Sequence, residues 1–146
     1  MRRDLGASAP VTRNDARPEK PRIDKLGVKP RARVSVLGVA DPALLSELAD
    51  RGADVVVNRR RVGSDLVLCG VEDRRALARL PTHRRFIASD GAVWVVWPRR
   101  SKEINENDIR DAALAAGLVD VKVVAFSPTH SALKLVIRLR DRPAGH

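Results

Sequence analysis

Residues 92–97 (AVWVVW) are apolar at every position and run through Pro98-Arg99-Arg100 into a polar stretch ahead of Ile109. A strand with one wet face alternates apolar and polar residues. One without alternation has packed layers on both sides. Beyond it, Asn105 or Asn107 is placed to cap a helix. Ile109, Ala112, Ala113 and Ala116 then recur at i, i+3, i+4 and i+7, the apolar stripe of that helix, and Gly117 closes it. Two more strand-like runs, VKVVAF and LKLVIRL, surround a loop expected over residues 127–132 (SPTHSA), a length that suits a hairpin. A strand that feeds a helix and returns to strands is the pattern of an open α/β sheet. Such sheets take ligands at the carboxyl ends of their strands.

The upstream half repeats the pattern. RVSVLGV (residues 33–39) reads as the first strand, Asp41 as an N-cap and Pro42 as the first helical residue. Leu44, Leu45 and Leu48 share one helix face, which stops at Gly52. Residues 53–58 (ADVVVN) and 65–71 (DLVLCGV) are expected as the second and third strands, linked by residues 59–64. A helix is expected over residues 72–80, with Pro81 ending or breaking it. Residues 83–89 lead on to a turn at Asp90-Gly91. Trp94 and Trp97, three apart in a strand, point to opposite faces and would anchor helices on both sides of the sheet.

The chain has 146 residues and a formal charge of +10, unevenly spread. Residues 1–33 hold ten basic and four acidic side chains against eighteen and fourteen in the remainder, so the charge is densest where apolar periodicity is weakest. The expected organisation is a basic disordered tail over 1–24, one domain over 25–140 and a short tail over 141–146. Residues 23–30 (IDKLGVKP) would form a helical turn or lid packed back on the domain. Aromatic residues are 3% of the chain and tyrosine is absent, which argues against a stacking surface for single-stranded nucleic acid. Cys69 is the one cysteine and lies in an apolar strand, so neither an internal disulfide nor a cysteine metal site can form. With no apolar leader at the start and no apolar run of spanning length, the expected compartment is the cytoplasm, without membrane contact.

The runs WVVWPRRS and DIRDAALAAGLVDVKV, with KLGVKP leading into the first strand, resemble the bacterial family called domain of unknown function 3052. That resemblance covers roughly residues 23–138 and is strongest over 93–123. It implies a tryptophan-proline-basic turn, a helix ending in Gly117-Leu118-Val119-Asp120 and a terminal hairpin. This chain departs from the family pattern in a shorter segment after Ser101 and in Thr129-His130-Ser131-Ala132 at the hairpin. The order of elements also resembles a trimmed class I methyltransferase, with one strand–helix unit missing after Asn58. The fold class that follows is a small Rossmann-like α/β domain. Its sheet would be open, three-layered and mostly parallel, with a C-terminal antiparallel strand pair.

Chemistry is sparser than fold. A dinucleotide or S-adenosylmethionine site wants a glycine-rich first turn and an acid ending the second strand. Here the turn is Leu37-Gly38-Val39-Ala40-Asp41-Pro42, and Asn58 precedes Arg59. No cofactor and no metal is therefore expected. Arg59, Arg60 and Arg61 follow the second strand, and Arg99 and Arg100 follow the apolar one, so the five could form an anion-binding crevice at the strands' carboxyl ends. Solvated loop arginines are the plainer reading. Asp41, Glu72 and Asp73 could reach the same edge, but they read first as helix-capping charges. His130, beside Ser127, Thr129 and Ser131, is the one histidine in a candidate loop site. The leading reading is a non-catalytic binding or regulatory module for an anionic small molecule or a protein partner. The alternatives are a degenerate S-adenosylmethionine-dependent methyltransferase-like enzyme and, less favoured, a nucleic-acid binder using the basic tail and turns.

Overall fold

A single sheet of six strands runs through the computed structural model, which describes residues 20–142. Residues 1–19 of the expected tail, and residues 143–146, lie outside the described residues. The described residues open with α1 (Arg22–Lys25), so three residues assigned to the tail by composition belong to the first helix. Then come β1 (Arg33–Leu37), α2 (Pro42–Arg51), β2 (Asp54–Val57) and β3 (Ser64–Gly70). A 3-10 helix (Arg74–Arg79) passes directly into α3 (Leu80–Phe86), followed by β4 (Ile87–Pro98), α4 (Glu106–Ala115), β5 (Leu118–Ala125) and β6 (His130–Ile137).

The strand order is β2-β1-β3-β4-β6-β5. The first four are parallel, and β6 runs antiparallel to both β4 and β5. The mixed α/β sheet with a C-terminal antiparallel pair is thus the observed fold. Its first face is covered by α1 and α2, where Ile23, Leu26, Leu44 and Leu48 pack on Val34, Val36, Leu68 and Trp94. Its second face is covered by the 3-10 helix, α3 and α4, where Leu77, Leu80, Ile109 and Ala113 pack on Val67, Val93, Val95 and Trp97. The absence of alternation in residues 92–97 has this cause: all six are buried, three against each layer. Trp94 also donates its indole N–H to the Leu26 carbonyl at 3.1 Å, which ties α1 to the centre of the sheet.

Caps sit where the local chemistry puts them. The Asp41 side chain accepts from the Leu44 N–H, Pro42 takes the first turn and Gly52 ends α2 in the left-handed conformation. Asn105, rather than Asn107, caps α4, because Asp108 three residues on completes a reciprocal box with it.

Three local expectations are corrected. Pro81 does not end a helix; it lies in the first turn of α3, where a missing N–H costs nothing. Asp90-Gly91 is not a turn between elements but lies within β4. There residues 88–91 bulge opposite Asp65 between the Ser64–Ile87 and Leu66–Ala92 pairs. Gly91 is needed at that bulge, since a Cβ would stand 2.8 Å from the Asp65 carbonyl oxygen. Finally, the hairpin connection is residues 126–129, so His130 begins β6 instead of lying mid-loop.

The connection from β2 to β3 has no helix. Residues 58–63 return over β1 on the second face, where the Arg61 N–H meets Ser35 Oγ at 3.2 Å. α2, following β1, lies on the first face and leads to β2. The 3-10 helix and α3, following β3, lie on the second and lead to β4. The strand order therefore reverses between β1 and β3, and a crevice opens where their connections part. Among the described residues no helix is long and apolar enough to cross a membrane.

Candidate functional site

A cleft of about 570 Å3 occupies that reversal point, at the carboxyl ends of β1, β3 and β4. Gly38, Gly70 and Val96 line its base, residues 39–41 lead up one side into α2, and residues 126–130 form the opposite wall. Gly70 is irreplaceable there: a Cβ would run into the Gly38 backbone, whose carbonyl carbon would be 3.0 Å away. Glu72 enters the cleft because the 3-10 helix starts later than its sequence suggests. Asp73, not Glu72, is the N-cap, accepting from the Ala76 N–H, and this leaves the Glu72 side chain exposed at the strand end.

Two arginines hold the wall. Arg22, on α1, gives Nε and Nη2 to the Glu47 carboxylate at 3.0 and 2.7 Å. Its Nη1 reaches Asp41 Oδ2 at 2.8 Å and the Phe126 carbonyl at 2.9 Å, and the guanidinium lies 4.7 Å from the Phe126 ring centroid. The Glu47 hydrogen bond, opposed by burial and helped by Asp41, holds the Arg22 guanidinium above its ordinary range. Burial would push the Asp41 carboxyl up, but the Arg22 hydrogen bond, the Leu44 N–H and the guanidinium's charge outweigh it and hold it below the usual carboxylate range. Arg99, just past the end of β4, grips the same turn. Its backbone N–H donates to the Thr129 carbonyl at 3.0 Å, Nη1 to that of His130 at 2.7 Å and Nη2 to that of Ser127 at 3.0 Å and of Pro128.

Within the turn, Ser127 Oγ accepts from the backbone N–H groups of Thr129 and His130 at 3.3 and 3.1 Å. Thr129 Oγ1 lies 2.8 Å from His130 Nδ1. These side chains shape the turn and present the imidazole, half-buried, to the cleft.

The five arginines singled out by sequence are not brought together. Arg59 and Arg100 are exposed, while Arg60 and Arg61 travel with the return segment, away from the carboxyl edge. Arg60 donates to His83 Nδ1 at 3.2 Å and lies over the Phe86 ring, both on α3. Arg61 folds back to the start of β2, pairing with the Asp54 carboxylate at 3.1 Å and its carbonyl at 2.6 Å. Arg99 alone of the five touches the cleft's wall, with its donors turned onto the turn of residues 127–130. Of the earlier candidates, His130, Asp41 and Glu72 do converge there. Arg22 went unnoticed in the sequence because nothing local links it to Phe126, 104 residues on.

Other reactive groups lie in the core. Burial, with Arg60 and Arg79 nearby, pushes His83 down to about 4, and burial pushes the Cys69 thiol up to about 12, so both are neutral in the native protein near neutral pH. No group of three or more potential metal ligands occurs among the described residues.

The fold has many solved counterparts. The chain superposes on magnesium protoporphyrin IX methyltransferase from Synechocystis PCC 6803, solved with bound S-adenosylmethionine, with a TM-score of 0.59 and 14% identity, covering 80% of this chain and 74% of that one. A TehB-like S-adenosylmethionine-dependent methyltransferase from Corynebacterium glutamicum gives 0.52 and 12%, covering 80% and 86%. The fibrillarin pre-rRNA processing protein of Methanococcus jannaschii gives 0.52 and 13%, covering 75% and 67%. At such identities the likeness is one of fold. A search among curated proteins finds no match.

The residues at the cleft do not fit an adenosyl group gripped by its ribose, which needs a carboxylate at the end of the second strand. Asn58 stands there instead, at a φ of 59°, with Oδ1 accepting from the Gly38 N–H at 3.4 Å. The single glycine of the first turn is followed by Val39, packed against the first-face core. One family's model matches residues 27–139, most of the chain, and the chain belongs to that family, described as protein of unknown function, DUF3052.

Proposed function

We propose that this protein is a small-molecule-binding module, without group-transfer chemistry of its own, whose ligand enters the cleft at the carboxyl ends of β1, β3 and β4. The observation that carries this reading is the cleft's place at the reversal of strand order, between two preorganised walls. Glu72, Asp41 and the His130 imidazole line it, so it suits a neutral or cationic polar group. The hydroxyls of Ser127 and Thr129 are committed to the turn and to His130, which supports a positioning role over a nucleophilic one.

A thermal-melt panel of nucleosides, polyamines, S-adenosylmethionine and S-adenosylhomocysteine tests it. A ligand at a hundredfold excess over its Kd stabilises the native state by about 2.7 kcal/mol, or roughly 10 °C for a chain this size. The expected result is a shift that Glu72→Gln with His130→Ala removes. A panel without any shift, or a shift that survives those changes, overturns the reading.

The second reading is a degenerate methyltransferase-like enzyme, favoured by fold neighbours such as the protoporphyrin enzyme solved with its cofactor. A shift confined to the two adenosyl compounds would select it, despite Asn58 and Val39.

A further inference from the structure

Two lysines stand side by side on the first face of the sheet. Lys134 of β6 is level with Trp94 of β4 on one side and directly opposite Lys122 of β5 on the other. A bulge puts the second lysine there. The β5–β6 register shifts between Asp120 and Lys122, so Asp120 turns to α4, where Arg110 meets it, and Lys122 turns to the face of Lys134. In an unbulged strand, residues two apart would share a face. Like charges directly opposite cost stability. Among the described residues neither lysine side chain has a hydrogen bond or an ion pair to offset that cost.

Lys134 also lines a groove of about 610 Å3 at the amino ends of β1, β3 and β4, the end opposite the cleft. Leu66, Ala92, Val121 and Val136 give the groove an apolar wall beside it. Burial first, then the Lys122 charge, hold the half-buried Lys134 ammonium below the ordinary lysine range. The other charged groups of the groove are Asp65 of β3 and Asp90 of β4, Lys29 and Arg31 ahead of β1, and Arg142 beyond β6. A lysine that is desolvated and set beside a second cation holds more of its nitrogen as the nucleophilic amine.

We infer that Lys134 is a nucleophile that captures a small aldehyde or ketone in this groove as an imine, with Lys122 as a positioning residue acting through it. The Nζ lone pair forms the C–N bond to the carbonyl carbon. The two amine protons leave with the carbonyl oxygen as water, and hydrolysis reverses the capture. Groove and cleft lie at opposite ends of the sheet, so this site stands whether or not the cleft accepts a ligand.

Pyridoxal added to the full chain, trapped by borohydride reduction and mapped lysine by lysine by mass spectrometry, tests the assignment. Lys134 is expected to label severalfold faster at neutral pH than the exposed Lys29 and Lys102. Lys134→Arg, which keeps the charge, should abolish the imine absorbance band. Lys122→Gln removes the neighbouring charge and should shift the rate–pH profile of Lys134 labelling to higher pH. Glu72→Gln with His130→Ala, in the cleft, should leave labelling unchanged. Equal labelling of all lysines in the wild type, or an adduct mapped chiefly to another lysine, overturns the inference without recourse to a variant. An imine band that survives Lys134→Arg also overturns it. A profile that Lys122→Gln leaves in place removes Lys122 from the site, and loss of labelling in the cleft variant would put the carbonyl compound in the cleft.

Discussion

Arg59, Arg60 and Arg61 are neighbours in the chain and end in three different environments, whereas Arg22 and Arg99 are far apart and grip one turn. The first group rides on the helixless return from β2 to β3. Because β3 is parallel to β2, that segment must travel back along the sheet, and it carries Arg61 from the carboxyl edge to the start of β2. The second pair is joined by the strand order, which places β6 beside β4 and brings the start of the hairpin up against α1 and α2. Proximity in sequence says little about a site whose parts meet through a crossover. Arg60 and Arg61 serve packing, while Arg59 is exposed. The dispersed ones shape the candidate site.

The largest expected effect tests the packing half of that contrast. His83 is buried, with its pKa pushed down to about 4, and receives a hydrogen bond from Arg60. The unfolded chain takes up a proton on this residue near pH 6.5, and the native state refuses it until near pH 4. Stability is therefore complete above pH 6.5 and falls as the pH drops toward 4, by about 3 kcal/mol from this group. Urea unfolding across that range measures it. His83→Asn, whose Oδ1 can accept from Arg60, should flatten the profile, and an unchanged acid slope would remove His83 as its source.

Next in size is Arg22→Met, which leaves Asp41 and Glu47 without their cation and frees the Phe126 carbonyl. The expected cost is about 2 kcal/mol in denaturant unfolding, below that of a fully buried pair because Glu47 is about one-third exposed. A cost near zero would mean that the wall stands without it. Arg99→Met should cost only about 1 kcal/mol, since its bonds lie at the surface. Its sharper signature is faster amide exchange at Thr129 and His130, with the rest of the sheet unaffected. Smallest is Arg61→Gln, at about 0.5 kcal/mol. Arg59→Ala with Arg100→Ala should stay within about 0.5 kcal/mol of wild type. If that exposed pair instead destabilised the fold as much as Arg22→Met, the contrast between the two groups would collapse.

The elements and their ends were legible because their causes are local. Asp41-Pro42 with Gly52 frames α2, the spacing of Ile109, Ala113 and Ala116 marks the buried face of α4, and six unbroken apolar residues announce a central strand. Errors came where a local signal had two meanings. Pro81 can stop a helix or begin one, and Asp90-Gly91 can turn a chain or bulge a strand. Tertiary pairing chose the second meaning each time. For the candidate site, His130 and the carboxylates were visible as residue types at strand ends. Their convergence was not visible, nor was the role of Arg22 within a stretch that composition assigned to a tail.

Apart from residues 87–91, the sequence alone determined which segments become strands and helices, which faces they bury and that the sheet is covered on both sides. These follow from side-chain periodicity and from capping within a few residues. Tertiary structure alone decided the strand order, the return path of residues 58–63 and the turn held jointly by Arg22 and Arg99. Those contacts join residues tens of positions apart, so their energies depend on which strands pair, and no short window of sequence contains that information.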